Sequence, residues 1–249
     1  MRFMLEIEVL YIKKNEKKEL DINCFDARNE PLFYTFQVLL KKMKIKLPKY
    51  SLLYVIFYEN LTEEEKKKIR IENGEKREYY FKETKIDELK SKSDLDFSKE
   101  TLIALREGVM HSKFRECISD DELDKIEDFM YEKNFIYIQN IDRKINKTKT
   151  LKAIIKAELT AANLNLFLEI IDTKSRKRIH NACVFELPPS VISPSKSKLN
   201  PIILYGYELY WENDNTIDII INTVGDRLRT KIYRKNDGAV LIKQQKIKM

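Results

Sequence analysis

Two pairs of side chains have types and spacing suited to phosphodiester chemistry. Arg106 and His111 lie five residues apart, so a cation able to hold a phosphate stands near an imidazole able to move a proton. Asp172-Thr-Lys174, with Glu158 upstream, offers an acid for a divalent ion and a Lys beside it. Two further pairs join soft ligands, His180 with Cys183 and His111 with Cys117. In a strand, positions i and i+3 point to opposite faces, so His180 and Cys183 share no metal without a bulge. No Walker, GxGxxG, HExxH or GxSxG pattern is present, and five Gly leave little material for phosphate-cradling loops. These residues assemble no catalytic set, no metal site and no cofactor site, and the chain reads as a binder rather than an enzyme.

The Arg106–His111 segment resembles the R-x4-6-H element of HEPN-type ribonucleases over six of the 249 residues. The resemblance implies metal-independent RNA cleavage by these two side chains within an all-helical bundle. On a straight helix five residues set them about 140° apart, so an irregularity near Gly108 would be needed. Strands are predicted on both sides of the motif, and the alternative is a surface or capping pair. Asp172-x-Lys174 is similar to the D/E-x-K element of restriction-type nucleases, where acid and Lys share a strand beside a metal. Here the triplet opens a predicted turn between Ile171 and Ile179, where such residues are ordinary.

A binding surface is the stronger reading. Arg227, Arg229, Lys231, Tyr233 and Lys235 are alternate residues, which a strand presents on one side, while Leu228, Thr230 and Ile232 turn inward. Such a face suits an acidic partner or a phosphate backbone. Tyr205, Tyr207 and Trp211 share a strand face and could stack bases or anchor a partner. Against both stand the ordinary solvated face of an antiparallel sheet and a core aromatic row.

The elements that must position these residues fall into two styles, which together make an α+β fold. Residues 1–145 read as a mixed α/β part. Phe3–Ile12 alternates as a strand, and Pro31 opens a helix that Pro48 stops. Ser51–Tyr58 is a continuous apolar run suited to a central strand. Thr62 and Glu65 form a capping-box pattern, and Asn73-Gly74 reads as the turn of a hairpin between Ile69 and Phe81. Ser98 is expected to cap a helix running to about Cys117, and Ser119 with Glu122 the next one; Phe135–Ile138 reads as a short strand. The polar stretch 142–150 is the expected boundary. From 146 to 249 the period is two, which predicts an antiparallel meander with a Pro-rich loop at 188–201 and a strand over 202–211.

Bulk properties fit this division. Hydrophobic residues make up 43% and charged residues 35%, with 13 Tyr and 12 Phe, so the chain folds rather than stays disordered. Three scattered Cys without a CxxC pair suit a reducing compartment. Glu6 and Glu8 argue against a signal peptide, and no apolar run nears 18 residues, so a cytoplasmic protein with no membrane role is expected. The net charge of +7 is uneven: 29 Lys+Arg face 30 Asp+Glu in residues 1–145, against 18 and 10 in 146–249. The expected function is therefore non-catalytic binding of a protein with an acidic surface. An immunity or antitoxin role in bacterial conflict offers one setting by analogy. The alternative is a nucleic-acid-binding protein using its basic sheet face, and after that the ribonuclease.

Overall fold

A computed structural model of the chain describes residues 5–14, 20–23, 27–47, 51–73, 77–187, 192–194, 202–204, 207–223, 226–234 and 240–248. The chain divides into two compact units, 1–136 and 137–249. The division falls before the 142–150 stretch expected to be the boundary. That polar stretch is the end of one strand and the tight turn leading to the next.

The first unit is built on a four-stranded sheet of order β2-β1-β3-β4. Strands β1 (Leu5–Lys14), β3 (Ser51–Tyr58) and β4 (Glu78–Glu83) run parallel, and β2 (Leu20–Asn23) is antiparallel to β1. Parallel neighbours need crossovers, and helices α1 (Glu30–Lys42) and α2 (Glu63–Asn73) supply them. The apolar run of β3 follows from burial on both faces. Leu53, Val55 and Phe57 join a large core with Leu32 and Phe36 of α1, while Tyr54, Ile56 and Tyr58 join a smaller one with Ile69 of α2. Each such side chain contributes about 1.5–3 kcal/mol when fully buried.

The 69–81 hairpin is corrected. Ile69 ends up 1% exposed inside α2, and β4 pairs with β3 in parallel. The Thr62–Glu65 cap starts that helix, and burial of Ile69 against Ile56 outweighs the turn preference of Asn-Gly. Helix α3 (Ile86–Ser91) follows β4. Helix α4 (Asp94–Met110) begins earlier than expected, because Ser93 caps it by accepting from the Asp96 N–H; Ser98 is a buried residue within it. It also ends earlier, and a 3-10 turn over Lys113–Glu116 follows. The predicted capping box of Ser119 and Glu122 does start α5 (Asp120–Glu132).

The second unit is antiparallel throughout its paired strands. Strands β5 (Tyr137–Ile145), β6 (Leu151–Leu159), β7 (Leu164–Asp172) and β8 (Arg178–Leu187) form one meander in sequence order. A two-stranded ribbon follows, β9 (Ile192–Pro194) with β10 (Ile202–Leu204), so part of the expected Pro-rich loop is paired. The rest of 188–201 lies outside the described residues. Strands β11 (Glu208–Asn213), β12 (Thr216–Thr223), β13 (Asp226–Arg234) and β14 (Val240–Lys248) form the second meander. The strand expected over 202–211 is thus two separate pieces. Alternation explains the inner face of the first meander, where Ala153, Ile155, Ala157, Leu164, Leu166 and Leu168 are all 0% exposed.

Two turns hold the meanders together. Asn146, 2% exposed, accepts the Leu151 N–H on Oδ1 and donates through Nδ2 to Thr150 Oγ1 and the Asp214 carbonyl. Thr148 donates its N–H and hydroxyl to Asp214 Oδ1 at 3.1 and 3.0 Å. The β5–β6 turn therefore grips the β11–β12 turn.

Candidate functional site

Strand β13 alternates as its sequence predicts. Thr230 and Ile232 are buried, and Arg227, Arg229 and Lys231 share the other side. The register then decides what those cations meet. Asp218 of β12 lies opposite Lys231, and Ile220 lies opposite Arg229, so the Asp218 carboxylate sits between them and is 0% exposed. Arg229 Nε donates to both Asp218 oxygens at 2.8 and 3.1 Å, and Nη2 makes a closer contact with Oδ2. The Tyr210 hydroxyl donates to Oδ2 at 2.7 Å. Lys231 pairs with Glu212 and stands 3.9 Å from Asp218, while Glu212 also reaches Arg229 at 3.4 Å.

Burial opposes the charge on Asp218, but hydrogen bonds from Arg229 and Tyr210 outweigh it and hold the carboxyl below its ordinary range. The Asp218 hydrogen bond in turn raises the Arg229 guanidinium above its usual value. Two cations face two carboxylates, so the centre of the expected basic face is neutralised within the sheet. Asp218 and Glu212 were missed in the sequence. The signal was present: in a meander the outward residue of Ile217-Asp218-Ile219 must lie beside the outward residues of the next strand.

The other expected binding residues do not build a shared platform. Arg227 is half-buried, and its Nε finds no hydrogen-bond partner. Trp211 lies on the side of β11 that carries buried Leu209, opposite Ile217, and its Nε1 donates to the Lys144 carbonyl at 3.3 Å. The Tyr207 hydroxyl is buried, and burial, then the Asp142 charge, push its pKa up. Tyr205 and Lys235 lie outside the described residues, as does the side chain of Tyr233.

Cations that form no ion pair among the described residues gather elsewhere, on turns that also hold the Asp172 and Asp214 carboxylates. The β5–β6 turn carries Lys147 and Lys149, and the β7–β8 turn carries Lys174, Arg176 and Lys177, all exposed. The two turns are hydrogen-bonded to each other, Thr173 N–H to the Thr150 carbonyl at 2.9 Å and Thr173 Oγ1 to the Lys149 carbonyl at 2.6 Å. Among the described residues none of these five cations makes an ion pair. The sequence showed the basic excess of the second part but not its focus, because the turns meet only once β6 pairs with β7.

The chemical pairs separate. Arg106 is held by Asp124 and Glu127 of α5, each at 2.6 Å. His111 caps the end of α4, with Nδ1 2.8 Å from the Glu107 carbonyl and its ring stacked on Tyr80. Asp172 makes a turn by accepting from the N–H and hydroxyl of Ser175. Glu158 pairs with Asn165 at the far end of β7, about 23 Å along the strand from Asp172. No group of three or more His, Cys, Asp and Glu among the described residues could hold a metal. His180 lies across from buried Ile170 and Cys183 across from outward Phe167, on opposite sides as expected. An open cleft of about 560 Å³ lies at the carboxyl ends of β1, β3 and β4, where open α/β sheets bind ligands. Most of its charges are paired within it: Lys13 pairs with Asp87, Lys85 with Glu88, and Glu59 accepts the Ile86 N–H. No helix among the described residues is long and apolar enough to cross a membrane.

No family model matches the chain, and no curated protein does. Among solved structures, Kluyvelomyces marxianus Hsv2 aligns with 44% of this chain and 49% of its own at 8% identity and a TM-score of 0.22, a likeness too slight to carry an argument.

Proposed function

We propose that this chain is a non-catalytic binding protein for an acidic protein partner, engaged through the basic turn end of the second unit. The observation that carries this reading is a set of five cations, none ion-paired among the described residues, on two turns fastened to each other. Cations on a rigid support lose less freedom on binding than cations on a loose loop. A concentrated positive end also steers an acidic partner during approach. A protein partner is favoured over nucleic acid because, among the described residues, no exposed aromatic sits among these cations to stack a base; Trp211 is tied to Lys144 and the Tyr207 hydroxyl is buried. An immunity or antitoxin role is one setting for such a protein.

The test is fluorescence anisotropy with labelled oligoglutamate and labelled single-stranded DNA of equal charge. Reversing Lys147, Lys149, Lys174 and Arg176 to Glu is expected to weaken oligoglutamate binding at least about tenfold. Reversing Lys67 and Lys68 of α2 is expected to leave it unchanged. Undiminished oligoglutamate binding by the fourfold variant overturns the proposal. Preference for DNA over oligoglutamate would transfer the site to nucleic acid.

A further inference from the structure

Strand β4 ends its sheet: among the described residues β3 is the strand that pairs with it, and their ladder runs from Glu78 to Glu83 without a register shift. The Thr84 N–H bonds the Tyr58 carbonyl of β3. Backbone groups alternate sides along a parallel strand, so those of Phe81 and Glu83 point the other way, to the outer edge. An unbulged edge of this kind is a template for a further strand. The other edges of the four-stranded sheets are poorer templates. Irregularities interrupt the ladders of β5, β8 and β11, β2 has four residues, and the charges of β14 are all cations.

The sequence of this edge complements its own reverse. Arg77-Glu-Tyr-Tyr-Phe-Lys-Glu83 can be laid antiparallel on a second copy with Tyr80 on the two-fold axis. Arg77 then opposes Glu83, Glu78 opposes Lys82 and Tyr79 opposes Phe81. Opposed residues of an antiparallel pair share a face and stand close enough for charges and rings to interact. Moving the axis to Tyr79 or Phe81 sets Glu78 against Tyr80 or Thr84 instead, and the match is lost. Such a contact is self-complementary, as a two-fold interface must be.

Both faces of the sheet suit the contact. On one, half-buried Tyr79 and Phe81 stack with centroids 6.4 Å apart, and two copies bring four such rings together. On the other, α4 lies over β3 and β4: a Cβ on Gly108 would stand 3.1 Å from Tyr80 Cβ and 3.4 Å from Leu53 Cδ2. Glu107 accepts from the Tyr80 hydroxyl at 2.6 Å and from Lys82 at 2.8 Å, so this side of α4 is turned to the edge strand. One helical turn earlier on that side stands Ile103, 39% exposed. With strands about 4.8 Å apart, α4 and its symmetry mate lie about 10 Å apart, the separation at which helices pack. Glu78 and Lys82 pair within their own copy with Lys113 and Glu107, each at 2.8 Å, and the contact extends these pairs into a row of alternating sign. We propose that the outer edge of β4 is a homodimer interface, where antiparallel pairing of residues 77–83 about Tyr80 joins two four-stranded sheets into one. The occupant is a second copy rather than an unrelated peptide because the charges match the strand's own reverse. This inference is independent of the basic turn end, which belongs to the second unit.

Sedimentation equilibrium of the full chain tests it. At about 200 µM, above the micromolar constants of small specific contacts, the mass is expected to approach twice 29.8 kDa. Arg77→Glu and Glu83→Lys each set like charges opposite one another at both ends of the pairing. Each is expected to weaken dimerisation at least about tenfold. Both side chains are exposed, and circular dichroism checks that the variants fold. An equimolar mixture of the two variants is expected to dimerise again, because each supplies the other's complement. A mixture that stays monomeric overturns the proposal, and so does a wild-type monomer at that concentration. A dimer that neither substitution weakens overturns it as well.

Discussion

The two meanders of the second unit share one layout and finish their outward faces in opposite ways. On β11–β14 the outward row is closed over a carboxylate with no exposure: Asp218 takes bonds from Arg229 and Tyr210, and Lys231 and Glu212 complete the layer. On β5–β8 one buried acid, Glu169, is held by Lys156 at 2.5 Å and Arg178 at 2.8 Å, while Ile138 and Ile145 stand exposed in the end rows on β5. The first arrangement satisfies its own central charges. The second leaves apolar area and unpaired charge outside. The difference teaches that a cationic stripe in a strand means little until the register of the neighbouring strand is known.

Breaking the ion pairs separates the two faces most sharply. Arg229→Ala leaves Asp218 buried with Lys231 at 3.9 Å and one hydroxyl donor, and is expected to cost about 3 kcal/mol in urea unfolding. Arg178→Ala leaves Glu169 with Lys156 and is expected to cost less than about 1 kcal/mol. Equal losses would erase the contrast.

Asn146→Ala tests whether the meanders act as one body. It removes three hydrogen bonds from a buried side chain and is expected to lower stability by about 2 kcal/mol. Two separate unfolding transitions in the variant would show that the turn contact alone joined the sheets.

A smaller effect is expected with pH. Asp218 has a lowered pKa in the fold, so its contribution is fully present above the ordinary carboxylate value and is lost as pH falls through the folded value. Arg229→Ala raises that folded value, so acid unfolding should begin at higher pH than in the parent chain. Urea midpoints between about pH 7 and about pH 3 measure it; coincident curves would show that Asp218 is not the titrating group.

Much of the fold was legible because periodicity reports burial directly. The apolar run of β3, the alternation of β6 and β7 and the capping box at Ser119 each reflect one local requirement. Where reading failed, a distant contact decided. Ile69 and Ile71 look like a strand flank before Asn-Gly, yet Ile69 packs beneath α2 on β3, a pairing invisible along the chain. The stretch 142–150 is polar like a linker, but its Asn and Thr serve a turn 68 residues away. The cations of β13 were visible and their role was not, since Asp218 sits among isoleucines that suggest only core.

The parallel pairing of Leu5 with Ser51 carries a kinetic consequence. Strand β1 has β2 nearby, but it finds no parallel neighbour until the whole first crossover has been synthesised, and the closure of that long loop must be met before any bond between β1 and β3 forms. The hairpins beyond residue 137 close over a few residues each. Although made last, they have the shorter search, so the order in which the halves acquire structure need not follow the order of translation.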